Sequence, residues 1–115
     1  MADITRTRNS SGDRDVATWG TLTSSNAAGS IYEPEGTRAA VASVQFVGTF
    51  DSATAVLQGS NDGSTWVTLK DLIGSDISLT AAGAAEFSAS MLYIRPSTSG
   101  GGGSQDIDCI VVARG

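Results

Sequence analysis

The sequence predicts an all-β chain, an antiparallel β-sandwich of jelly-roll or Ig-like type with about eight strands and an extended N-terminal arm. Three observations predict it. Short runs alternate between apolar and polar residues, the signature of half-buried strands. Polar clusters rich in Gly, Asn, Asp and Ser separate those runs. No stretch carries convincing helical periodicity, since Ala81-Ala82-Gly83-Ala84 lies between two β-like runs and reads as a hairpin loop. The 115 residues fit one domain. The reading divides them into an arm, residues 1–15, and a sandwich, residues 16–115.

Met1 to Asp15 sets Arg6, Arg8 and Arg14 among Asp3, Asp13 and Asp15, with Ile4 the one sizeable apolar residue after Met1. So little apolar surface cannot order a segment alone. Either the segment is a loose tail, or its arginines order it against carboxylates on a neighbouring subunit. Three of the seven basic residues fall here, which favours the second reading. Val16 to Leu22 is the first strand, with Ala17, Trp19 and Thr21 on one face and Gly20 marking a bulge or a close approach. Ser24 to Ser30 is a loop of small residues. Ile31 and Tyr32 form a short strand that Pro34 stops. Tyr32 reads either as a rim residue of the core or as a partner contact beside the Glu33-Pro34-Glu35-Gly36 turn.

Val44 to Leu69 organises the rest. Val44, Phe46, Gly48 and Phe50 share one face of a strand, and Asp51-Ser52 turns the chain. Ala55 and Leu57 share a face of the next strand. Asn61, Asp62 and Gly63 tolerate the positive φ of a reversal, and Thr65 to Leu69 returns. The three strands read as a meander of mostly local contacts. Beyond it, Asp76 to Thr80, Glu86 to Ser88, Met91 to Pro96 and Asp106 to Ala113 are further strands, with Pro96 ending the third of these. Gly100 to Gly103 reads as a loop without a side-chain anchor, mobile unless a neighbour pins it. It lacks the lysine and following helix of a phosphate loop. Ile107, Cys109 and Val111 face one way along the last strand.

Composition narrows the function. Net charge is −5 with few basic residues, which argues against a nucleic-acid partner, since phosphate binding needs clustered cations. There is no histidine, so histidine-dependent nucleophiles and the commonest metal ligand are missing. Cys109 is the single cysteine, which precludes an intrachain disulfide or a thiolate cluster. Met1 to Ser11 is polar throughout, with no sign of a secretory leader, and no apolar run suits a membrane span. Asp106 and Asp108 share a strand face but lack a third oxygen ligand, so a solvated edge is expected rather than a cation site. Gly59 to Gly63 is a turn rather than a calcium loop. A carboxylate pair drawn from Asp51, Asp62, Asp71 and Glu86 is the one enzymatic option left open. Neither catalytic residues nor metal or other cofactors are expected. Trp19 and Trp66 suit core packing or an interface better than sugar stacking. A thin core with 6% aromatics also makes oligomerisation a reasonable expectation.

Four pieces, Val47-Gly-Thr-Phe50, Thr54 to Gly59, Ser60-Asn-Asp-Gly-Ser-Thr-Trp66 and Tyr93-Ile-Arg-Pro96, resemble a segment that recurs in small structural proteins of tailed bacteriophages. The resemblance implies a virion component with a β-sandwich fold, a capsid decoration (cement) protein. It would be made in the host cytoplasm and would sit on the outer capsid surface between capsomers. Its partners would be the major capsid protein and copies of itself in a homotrimer or dimer, with no nucleic acid or membrane. Ile4, Arg6, Arg8, Arg14, Trp19 and Tyr32 would make the partner contacts. The alternative is a carbohydrate- or receptor-binding module, or an adaptor, of a phage tail or fibre.

Overall fold

The computed structural model describes residues 4–8, 14–32, 41–88 and 91–114. Nine strands are described: β1 (Ile4–Arg8), β2 (Arg14–Leu22), β3 (Val41–Thr49), β4 (Thr54–Ser60), β5 (Val67–Thr68), β6 (Ser78–Leu79), β7 (Gly83–Ser88), β8 (Tyr93–Ser99) and β9 (Asp106–Arg114). They form two antiparallel sheets, and no helix occurs among the described residues. One sheet runs β1-β2-β9-β3-β7. In the other, β4 pairs with β8 and also with β5 and β6. The predicted all-β class and sandwich arrangement are what the molecule has.

The alternation read from the sequence sets the core. Ala42, Val44 and Phe46 of β3 face Ala55 and Leu57 of β4 within one buried apolar cluster, joined by Ile107, Cys109 and Val111 of β9. The expected meander is corrected here. β3 pairs with β9 and β7, and β4 belongs to the other sheet. The Asp51-Ser52 reversal carries the chain from one layer to the other. Both residues have positive φ, 47° and 69°, and Ala53 N donates to Phe50 O at 2.8 Å, the geometry of a type I′ turn. Two apolar stripes meet across the core instead of lying side by side, because that arrangement buries both.

β2 keeps its phase only as far as Trp19. Its register against β9 shifts between Trp19 and Leu22, Thr21 takes φ 60°, and Thr21 N donates to Asp108 Oδ1 at 2.9 Å. The bulge lies where Gly20 suggested one. It turns Thr21 outward and puts Leu22, not Thr21, in the core.

The expected arm also differs. Residues 4–8 pair with β2 of the same chain as the edge strand of the larger sheet, and β2 runs across the 15/16 boundary. Backbone hydrogen bonding, which composition does not reveal, orders this polar segment. Removing residues 1–15 would strip an edge strand and the start of β2, so it is not a neutral truncation.

Pro96 does not end its strand, because β8 continues to Ser99. Ile94, two residues before it, exchanges both backbone bonds with Tyr32 at 2.8 Å. Alternation therefore turns the nitrogen of residue 96 away from β4, towards the 27–32 segment. There Gly29 N donates to Pro96 O at 2.9 Å, and no proline N–H is needed.

The glycine loop is anchored by its own chain. Gly102 N donates to Asp51 O at 3.1 Å, and Ser104 N donates to Asp51 Oδ2 at 2.9 Å. Buried Gln105 donates to Leu22 O at 3.1 Å and to Thr98 Oγ1 at 2.8 Å. A Cβ on Gly102 would lie 2.5 Å from Asp51 Oδ2, and one on Gly101 would overlap Gln105 Oε1. Close approach is what these two glycines provide.

Candidate interaction surfaces

The structure separates the six residues read as partner contacts. Trp19 is fully buried, so its assignment to a neighbour is corrected. Its indole Nε1 donates to Ser30 O at 2.8 Å, and its ring meets Tyr32 edge-to-face at 5.9 Å and 82°. Tyr32 is 2% exposed and is likewise a core residue. A buried indole needs an internal acceptor and a close-packed neighbour, and both come from the 27–32 segment. The backbones of Ile4, Arg6 and Arg8 lie in β1 opposite Trp19, Ala17 and Asp15. Arg14 opens β2 opposite Arg114. The partner contacts expected of these four side chains lie outside what the structure describes.

Three of the carboxylates weighed as acids serve turns. Asp51 ties the glycine loop, as above. Asp62 accepts Thr65 N and Ser64 N at 2.8 Å each and the Ser60 hydroxyl at 2.8 Å. These donors, Thr65 N foremost, hold its carboxyl well below the usual carboxylate range. A depressed folded-state pKa contributes stability that is complete above the unfolded value and is lost as pH falls towards the folded one. Asp62→Asn is therefore expected to flatten the acid limb of stability. Urea midpoints at about pH 7 and pH 2.5 should fall further for the parent than for the variant, and equal losses would refute the assignment. Asp106 and Asp108 flank buried Ile107. No group of three or more His, Cys, Asp or Glu is placed to hold a metal ion among the described residues. Burial in apolar surroundings pushes the Cys109 thiol far up, so it behaves as a small apolar side chain.

Sequence reasoning missed two surface features. The first is the tip at residues 70–76. Asp71 Oδ1 accepts Ile73 N at 3.0 Å and Ser75 N at 2.9 Å, while Asp71 N donates to Ser75 O at 2.8 Å. Lys70 and Asp76 close its base with an ion pair of 2.6 Å. Leu72 N donates to Glu86 O at 3.1 Å, fastening the tip to β7. Leu72 is 58% exposed and Ile73 88%. Asp71, Leu72, Ile73, Ala84, Ala85 and Glu86 line a shallow groove beside it. Nothing in the local pattern of Leu72-Ile73 before Gly74-Ser75-Asp76 signals its exposure.

The second lies on the outer face of the β4/β8 sheet. Gln58 pairs with Arg95 across the strands, and Arg95 Nε donates to Gln58 Oε1 at 2.9 Å. The guanidinium lies 4.2 Å from the centroid of the Trp66 ring, a cation–π distance. Half-buried Tyr93 lies two residues before Arg95 on the same strand. Partial burial lowers the pKa of Arg95. Trp66 and Arg95 are 29 positions apart, and only strand register could bring them together.

No protein-family model matches the chain, and no curated protein matches its sequence. Among solved structures, the fold is similar to that of the SPBc2 prophage-derived protein YomS. The TM-score is 0.59 at 12% identity, over 89% of this chain and 95% of that one. Weaker likenesses include a structure from disulfide-linked pili of Bacillus endospore appendages, with TM-score 0.42, 13% identity and coverage of 99% and 89%. KdgF from Halomonas has TM-score 0.40, 11% identity and coverage of 97% and 79%. The likeness to YomS is one of fold.

Proposed function

We propose that this chain is a structural component of a bacteriophage virion, a non-enzymatic decoration (cement) protein that adheres to the outside of an assembled capsid. The observation that carries the reading is the rigid tip that holds Leu72 and Ile73 in water. Five hydrogen bonds within the tip and to β7 fix this apolar pair without burying it, a poor use of apolar surface unless something covers it. The phage-like motifs and the prophage-derived neighbour in fold space support the same reading.

A cement protein needs no reactive groups. It binds the closed shell better than free subunits and so shifts the equilibrium towards the shell. Modest contacts repeated by symmetry give the strength. The tail or fibre alternative needs an aromatic platform open to sugar. The guanidinium of Arg95 occupies one face of Trp66, which counts against that alternative.

The test is co-sedimentation with shells. Replacing Leu72 and Ile73 together by Asp removes roughly 2 kcal/mol of buried contact per copy, about thirtyfold in affinity, and leaves the fold unchanged because both side chains are exposed. Undiminished co-sedimentation of the doubly substituted protein would remove the tip from the reading.

A further inference from the structure

We infer that Arg95, held on Trp66 and by Gln58, is a binding site for a carboxylate side chain of a partner protein. The cluster is built before any ligand arrives. Stacking on the indole at 4.2 Å and the Nε bond to Gln58 at 2.9 Å leave the guanidinium little rotational freedom. The two Nη groups have no hydrogen-bond partner among the described residues. They are the fork that takes a carboxylate in bidentate fashion.

The missing counter-ion sharpens the point. This is an acidic chain, with twelve carboxylate residues against seven basic ones. Yet Arg95 makes no ion pair among the described residues, whereas Lys70 is paired with Asp76. A partly desolvated cation without a carboxylate on a protein this acidic is poised for an anion from outside. Arg, Trp and Tyr are the residue types that dominate the energetics of protein interfaces, and Arg95, Trp66 and Tyr93 bring all three to one sheet face.

The geometry favours a protein side chain over an acidic sugar. The guanidinium covers one face of the Trp66 ring and leaves a pyranose at most the other to stack on, whereas the fork itself matches a carboxylate. The site does not depend on the capsid reading, because any partner presenting Asp or Glu on a flat surface would satisfy it.

The test uses the full chain and N-acetylglutamate amide as the probe, followed by 1H–15N correlation at constant ionic strength. The Arg95 Nε and Trp66 indole resonances should shift saturably, with half-saturation on the order of 10–100 mM, as one screened ion pair permits. The indole resonance of buried Trp19 should stay in place and reports the intact fold. Arg95→Gln should abolish the shift at Trp66, and Arg95→Lys, which keeps the charge but loses the fork, should weaken it at least threefold. No saturable shift, or an unchanged one in Arg95→Gln with the Trp19 resonance intact, overturns the inference. Glucuronate binding more tightly than the glutamate probe would also overturn it, in favour of a sugar ligand.

Discussion

Trp19→Ala is expected to destabilise the domain by about 4 kcal/mol. The indole is fully buried. Its loss would leave a large cavity, remove the edge-to-face contact with Tyr32 and strand the Ser30 carbonyl that Nε1 now satisfies. The surroundings cannot collapse to fill the space. A Cβ on Gly29 would already lie 2.6 Å from the Trp19 ring and 2.7 Å from Pro96, so that wall consists of backbone held by β8. A domain of this size has roughly 5–15 kcal/mol to lose, so the variant should unfold at a much lower urea concentration or fail to accumulate. Trp19→Phe retains part of the volume and loses the hydrogen bond, and should fall between. A drop below about 1 kcal/mol for the alanine variant would mean that the indole is not central to the core.

Gly48→Ala should cost about 3 kcal/mol or more, an unusual penalty for one methyl on an exposed residue. Gly48 has φ +120°, and its missing Cβ would run into the Asp106 backbone carbonyl of β9. Conformational strain of about 1–3 kcal/mol adds to overpacking against a backbone atom that cannot rotate aside. Gly20→Ala is the control. It has nothing within 4 Å of the added methyl and no positive φ, and should change stability by less than about 1 kcal/mol. Urea melts of the two variants would measure the contrast, and similar losses would refute the contact between β3 and β9 at this point. Sequence patterning put Gly48 on the apolar face with Phe46 and Phe50. Phase agrees with that, but the residue is exposed and is glycine because of its backbone.

The same contrast runs through the site. Trp19 and Tyr32 were expected to contact a partner, and each is core, because the 27–32 segment folds back onto β8 and closes over them. Leu72 and Ile73 drew no reading as a surface and are exposed, because the Asp71 carboxylate bends the chain into a tip before they reach the sheet. Arg95 and Trp66 attracted no joint reading, since nothing in either segment names the other. Conversely, the SNDGST turn, the bulge at Gly20 and the inward faces of β4 and β9 were all legible beforehand, each resting on residues a few positions apart.

The all-β class, the phase of β3, β4 and β9 and most of the turn chemistry were therefore determined by the sequence alone, because alternation and positive-φ preferences are local properties of neighbouring residues. The tertiary structure alone decided which strands are neighbours, that β3 and β4 belong to opposite layers, and which aromatics are covered. Those outcomes depend on register between segments far apart in the chain, where burial of one apolar stripe against another outweighs local proximity.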